Sequence, residues 1–370
     1  MKVVVMKNNF KDGLFAVERA AGENANLPIL KNVVLETAEN KLKLTATNLE
    51  IAISFSVSGK IIENGRLTVP IGVLANLIGG IASERLNLEN KKNVLEIVTD
   101  NYQASVHGTP GDEFPLIPRI KNTEQYLEIE SGALKDALSQ VVIASQFSEL
   151  RPELNSVLID FSLDNLKIVA TDSFRLAEKT VAASQFQSNH EEPFILLLPL
   201  RSAQELLRIL KDEGRIRIYH DENQILFRTD QLEFFSRLME GTFPDYRAVI
   251  PQTFNAEMHL SRQEFLNALK LAGIFSTRGN EVGIRVLESK KAVEIFSSDQ
   301  AVGENSYLLS AKLRGTAKEV SFNWRYLTDG LKALKTEEVF FALNEDNKPA
   351  LLKAPNDGSY FYLIMPILKT

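Results

Sequence analysis

Asp172 and Arg175 stand three positions apart in "IVATDSFRLAEK", residues 168–179, and a carboxylate beside a guanidinium can move a proton and hold an anion. Asp299, in "EIFSSDQAVGENSY", offers a further carboxylate. The surrounding sequence argues against that chemistry. "LTATNLEIAISF", residues 44–55, is nearly the same phrase 124 positions earlier (172 − 48 = 124), with Asn48 in the place of Asp172, and Asp299 lies 127 positions further on (299 − 172 = 127). A catalytic residue need not recur in every copy, but here the polar pattern does, as turn residues would whose side chains accept hydrogen bonds from nearby backbone amides. The chain carries no Gly-x-x-x-x-Gly-Lys-Ser/Thr loop, no His-Glu-x-x-His and no Gly-x-Ser-x-Gly turn. His107, His190, His220 and His259 lack ligand spacing, and zero cysteines exclude disulfides, thiolate metal sites and cysteine nucleophiles. An enzyme is therefore the weaker reading, and a binding protein the stronger one.

The binding chemistry with the clearest spacing is cationic. In "LRSAQELLRILK" the residues Ala203, Leu206, Leu207 and Leu210 form a helical apolar stripe, with Arg201, Arg208 and Lys211 away from it. Adding 124 to each basic position gives Arg325, Lys332 and Lys335, beside a second stripe of Leu327, Leu331 and Leu334. A single row of this kind is an ordinary solvated face. Two rows in register, in a chain of net charge −6, suit a phosphate backbone contacted without base reading. The first copy departs from the pattern: aligning Pro70 with Pro199 puts Gly72, Gly79 and Ala82 at the basic positions.

Three copies of one unit must position these groups. A first helix is expected in "FKDGLFAVERAAG", "ALKDALSQVVIAS" and "EFLNALKLAGIFS", and a second in "LTVPIGVLANLIGGI", "ILLLPLRSAQELLRIL" and "VSFNWRYLTDGLKAL". Hairpins with turns at Glu39-Asn40, Asp221-Glu222-Asn223 and Asp346-Asn347 fill the rest, and Phe-Pro recurs at 114–115 and 243–244. The expected class is α+β, with many antiparallel strands and two helices per unit, in domains 1–121, 122–250 and 251–370. A chain of 370 residues is long enough for several cores. No stretch approaches the roughly 18 apolar residues of a spanning helix, and the N-terminus turns polar too early for a signal peptide. The expectation is a cytoplasmic protein without a membrane partner.

In its order of landmarks, "NLPILKNV", "ATDSFRLA", "GTFPDYRAVIP" and "YLIMPILKT", together with the threefold repeat, the chain resembles the bacterial DNA polymerase III beta subunit, the replicative sliding clamp, over essentially its whole length. The resemblance implies three DNA-clamp domains per chain and a head-to-tail homodimer forming a six-domain ring, sheets outside and helices inside, around duplex DNA. It implies no catalysis, no cofactor and no metal. Lys11, Lys135, Arg201, Arg208, Lys211, Lys270, Arg325, Lys332 and Lys335 would face the DNA. Ala104 and Val106 of one chain would meet Ile274 and Phe275 of the other, and the small Ala104 suggests a looser junction than a large side chain gives.

A pocket for short peptides of the replicative polymerase, the clamp loader, repair polymerases and ligase is implied at Leu154, Thr171, Ser173, Phe174, Arg175, Leu176, Pro244, Val249, Leu363, Met365 and Pro366. Core packing is the alternative role for Leu176, Val249 and Leu363 taken singly. Phe174 and Ser173 replace histidine and glycine common in the family, which implies a different pocket width and peptide preference, and Ala248 replaces a common arginine at the rim, which removes one polar contact. A duplicated clamp with altered partners is a variant of the same reading.

Overall fold

Hydrophobic alternation becomes antiparallel strand throughout the computed structural model, which describes residues 1–22, 26–38, 40–117, 119–276, 279–317, 319–344 and 347–368. Glu39 and Asp346 of the expected turns, and Lys369 and Thr370 of the last landmark, lie outside the described residues. The six expected helices are α1 (Lys7–Glu18), α2 (Ile71–Gly80), α3 (Ser131–Val141), α4 (Leu200–Ile209), α5 (Arg262–Ala272) and α6 (Trp324–Ala333). Ser261 caps α5 by accepting from the Glu264 amide, and Asn323 caps α6 by accepting from the Arg325 amide. Among the described residues no helix is long and apolar enough to cross a membrane.

The chain packs as two units, one of Met1–Ser131, Gln187–His190 and Arg208–Leu238, the other of Gly132–Phe186, Glu191–Leu207 and Met239–Thr370. The middle repeat is shared between them. Its strands Leu127–Glu130, Arg215–His220, Gln224–Arg228 and Leu232–Arg237 belong to the first unit, where Leu232–Arg237 pairs with the 13-residue strand Ile51–Glu63. That long strand also pairs with Lys41–Thr47 and, beyond Ser58, with Lys2–Met6; the sheet runs on through Arg85–Lys91 and Val94–Val98 to an edge at Gln103–His107.

In the second unit a nine-stranded sheet runs Phe194–Pro199, Ser156–Phe161, Asn165–Thr171, Arg175–Ala182, Tyr360–Ile364, Ala350–Lys353, Glu338–Leu343, Ala256–Ser261 and Lys312–Gly315. A four-stranded sheet of Gly303–Ser310, Ala292–Asp299, Glu281–Leu287 and Val320–Asn323 completes it, with Gly303–Ser310 at an edge. The strand Arg175–Ala182 of the middle repeat pairs directly with Tyr360–Ile364 of the last, Leu176 opposite Leu363, so one sheet serves both repeats.

Helices settle on these sheets where side chains are small enough. A Cβ on Gly13 of α1 would lie 2.6 Å from Leu44 Cδ1 and 3.0 Å from the Phe55 ring, whereas Gly72 and Gly79 of α2 face open space. Gly79→Ala should accordingly raise stability by about 0.5–1 kcal/mol, the helix-propensity difference. Gly13→Ala should lower it by about 1–3 kcal/mol through overpacking; urea denaturation midpoints of the two variants, moving in opposite directions, check both.

Candidate functional site

The repeated phrase of the sequence is a turn built in the same way each time. Asn48 Oδ1 accepts from the amides of Glu50 and Ile51, Asp172 Oδ1 from those of Phe174 and Arg175, and Asp299 Oδ1 from those of Ala301 and Val302. Thr47 and Thr171 add a hydroxyl bond to the carbonyls of Ile51 and Arg175. Leu49 and Ser173 take the left-handed backbone, at φ 76° and 77°. A residue with a Cβ is disfavoured there, and glycine is at ease. The other Asp172 oxygen accepts from Arg175 Nε at 2.9 Å, so both oxygens of the imagined acid are engaged in holding the turn.

Arg175 is buried. Its Nη1 donates to Asp329 at 2.7 Å, and its guanidinium lies 4.1 Å from the centre of the Tyr326 ring. Burial opposes the charge, but Tyr362 and then the carboxylates of Asp172 and Asp329 outweigh it and hold the guanidinium above its ordinary value. It stays a cation that organises the turn and α6.

Above this turn the segment following Leu238 crosses the nine-stranded sheet. Phe243 and Tyr246 plug it into an apolar cluster with Leu158, Val169, Leu176, Leu197, Ala342, Leu351 and Leu363. The Tyr246 hydroxyl donates to Glu178 at 2.6 Å, and Lys167 donates to the other Glu178 oxygen at 3.0 Å. Burial first, then Glu178, raise the phenol well above its ordinary pKa and keep it a donor.

Between crossing segment, turn and sheet end lies a cavity of about 260 Å³. Leu154, Thr171, Ser173, Phe174, Arg175, Leu176, Pro244, Val249, Leu363 and Met365 all line it. Pro366 does not; it lines a neighbouring groove that also takes in Phe174 and Met365. Leu154, Leu176 and Leu363 are buried, whereas Phe174 and Val249 are 62% and 52% exposed. The Phe174 backbone is nonetheless held, because its amide donates to Asp172 and its carbonyl accepts from the Met365 amide at 2.8 Å. Such a mostly apolar recess suits leucine and aromatic side chains.

Arg151, Asp245, Tyr246 and Pro349 complete the wall and were not expected. Tyr246 and Asp245 sit inside the quoted "FPDYRAVIP", so the motif marked them; for Arg151, which donates to Ser173 Oγ at 3.1 Å, nothing local in the sequence did.

The cationic candidates divide. Lys11, Arg201, Arg208, Lys211, Lys270, Arg325 and Lys332 are exposed, and on α6 Arg325 and Lys332 lie away from the buried Leu327, Gly330 and Leu331. Lys211 lies beyond the end of α4 and Lys335 beyond that of α6. Lys135 is half-buried. Lys335 is paired with Asp136 of α3 at 2.9 Å, and Arg325 donates to the Asn280 side chain and stacks over Trp324.

Of the edge candidates, Ala104 is half-buried on the edge strand Gln103–His107. Val106 turns into the core of its own unit and is buried. Alternation along the strand sends Ala104 and Val106 to one face. Ile274 is 62% exposed, and Phe275 is half-buried near Gly303 at the start of the edge strand Gly303–Ser310. Two histidines distant in sequence do meet: His190 and His220 stack with centroids 5.2 Å apart, both held below the ordinary imidazole range chiefly by burial. No group of three or more His, Cys, Asp or Glu among the described residues is placed to hold a metal.

Models of the N-terminal, central and C-terminal domains of the DNA polymerase III beta subunit match residues 1–118, 128–245 and 247–368. The beta sliding clamp of Synechococcus elongatus is 28% identical over 374 residues, and that of Staphylococcus aureus 26% over 378, each alignment covering 99% of both chains. Among solved structures, the DNA polymerase sliding clamp of Bacillus subtilis superposes with a TM-score of 0.93 at 25% identity over 100% of both chains. The DNA polymerase III subunit beta of Pseudomonas aeruginosa bound to griselimycin does so with 0.94 at 23%, again over both chains entire, and speaks to the fold. The α+β architecture in three clamp domains is that of these proteins.

Tyr246→Phe removes the donor from a buried carboxylate and should lower stability by about 1–3 kcal/mol, the cost of an unsatisfied buried acceptor. Urea unfolding of the variant checks this, with Tyr326→Phe, whose ring remains under Arg175, expected to stay close to the parent.

Proposed function

The chain belongs to the DNA polymerase III beta-subunit family of sliding clamps, and from that premise we propose that two copies close head to tail into a ring that encircles duplex DNA and confers processivity on the replicative polymerase. The observation that carries the reading is that an edge strand of the first domain and one of the third are both open: among the described residues, the strands Gln103–His107 and Gly303–Ser310 each have a neighbour on one side only, as do the strands ending the other sheets. An open edge is a template for another strand. In a chain of three like domains, with boundaries at 1–121, 122–250 and 251–370, pairing the first domain of one copy with the third of the other would cover both of these edges at each of two junctions. Ala104 and Val106 then lie beside Ile274 and Phe275, with Ile274 the exposed anchor and Val106 supporting from beneath.

The exposed cations Lys11, Arg201, Arg208, Lys211, Lys270, Arg325 and Lys332 supply interchangeable phosphate contacts inside the ring, with Lys135 and Lys335 in lesser roles. Because closure retains the DNA, each contact can stay weak enough for sliding. Gly72, Gly79 and Ala82 make the first domain the least cationic part of that track.

The cavity beside Phe174 is read as the recess where polymerase, loader, repair polymerases and ligase dock short peptides, Leu154, Leu176, Leu363 and Met365 receiving apolar anchors and Thr171, Ser173, Arg175, Pro244, Val249 and Pro366 framing them. The protein is read as a non-catalytic, cytoplasmic accessory subunit that needs no cofactor. Placed by its loader on a nicked circular plasmid, labelled protein should co-elute with the circle in high salt and be released when the plasmid is linearised. Equal retention on circle and line, or loss from both at the same salt, would contradict topological binding.

A further inference from the structure

The first unit holds a groove of about 700 Å³, separate from the recess beside Phe174, whose wall carries the cations Lys211, Arg215, Arg217 and Arg228 and the carboxylates Glu128, Glu213 and Asp230, with Tyr219 among them. Four strands lay a row of charges across it. Glu128 lies opposite Arg217, Arg217 opposite Arg228, and Arg228 opposite Glu233, so two like charges face each other in the middle with a carboxylate at each end. Opposed like charges are destabilising in a sheet. The end pairs are tight, Arg217 Nε to Glu128 at 2.6 Å and Arg228 to Glu233 at 3.1 Å, and each carboxylate has a second cation, Arg215 at 3.1 Å and Lys43 at 2.8 Å. Stacking on tyrosine fixes the central guanidinium groups, Arg217 over Tyr126 at 4.8 Å and Arg228 over Tyr219 at 5.2 Å. Both remain part-exposed, with more donors than these partners use.

We propose that this groove is a second partner-docking surface, in which a carboxylate side chain of an acidic polypeptide segment sits between Arg217 and Arg228. An anion there accepts donors that the two guanidinium groups, held by their carboxylates and tyrosines, already present in a fixed orientation. A single-stranded nucleic acid fits less well, because the tyrosine faces on which bases would stack are covered by guanidinium groups. The inference is independent of the sliding-clamp reading.

Fluorescence anisotropy with fluorescein-labelled deca-glutamate tests it, against labelled dT10 and deca-serine. Arg228→Gln leaves Glu233 paired with Lys43 and Glu128 with both its arginines, so the fold is retained; a urea midpoint verifies this, and Arg228→Lys tests for rescue. Wild type should bind deca-glutamate in a salt-sensitive manner and deca-serine not at all. Arg228→Gln should weaken that binding roughly tenfold, the worth of about one charge-assisted hydrogen bond, with Arg228→Lys in between. Deca-glutamate binding unchanged in Arg228→Gln would overturn the proposal, as would dT10 being the probe whose binding that variant loses.

Discussion

Lateral strand pairing between repeats is the interaction on which the rest of the structure depends. Arg175–Lys179 against Tyr360–Ile364, and Ile51–Phe55 against Leu232–Ser236, turn the sheets of successive repeats into continuous ones. Backbone hydrogen bonds of this kind satisfy groups that would otherwise be buried without partners. They also fix register, and register decides which side chains reach which face. With Leu176 opposite Leu363, the Asp172 turn and the Met365 end of the last strand stand side by side, and the segment carrying Phe243 and Tyr246 closes over them. The recess is a consequence of that junction and of no single loop.

The corresponding junction of the first unit shows what makes a recess. Its frame is the same: the Arg237 amide donates to Glu50 as the Met365 amide donates to Phe174. Its filling differs, because the pair opposite each other is Ala52 and Phe235 in place of Leu176 and Leu363. Phe235 packs with Ile120, Tyr219, Leu226 and Tyr126, so an aromatic ring from the chain itself takes up space on that side of the sheet. Repetition supplies the frame, and one or two side-chain volumes decide whether it is hollow.

Much of this was legible in the sequence because it is local. The six helices follow from apolar spacing, and the turns at Asn48, Asp172 and Asp299 from the chemistry of one side chain with two amides. Ten of the eleven expected recess residues line one cavity because they sit on motifs that the fold brings together; Pro366 fell just outside since the chain turns into the next groove after Met365. What the sequence withheld is long-range pairing. That Lys335 would meet Asp136, that Asp329 would hold Arg175, that His190 would stack on His220, and that the middle repeat would divide its strands between two units all depend on partners more than 25 positions away. Val106 shows a limit of the resemblance, which set it beside Ala104 at the junction between copies, whereas packing buries it in the core of its own unit.

If edge pairing organises the chain internally, it should also complete it externally, because Gln103–His107 and Gly303–Ser310 are left with one open side each. The direct measurement is absolute mass by light scattering from micromolar to nanomolar protein. The account predicts 2 × 41.4 = 82.8 kDa at the upper end, falling toward 41.4 kDa on dilution as the small Ala104 junction lets go. A mass of 41.4 kDa at every concentration would contradict it, since the two edges would then not recognise each other.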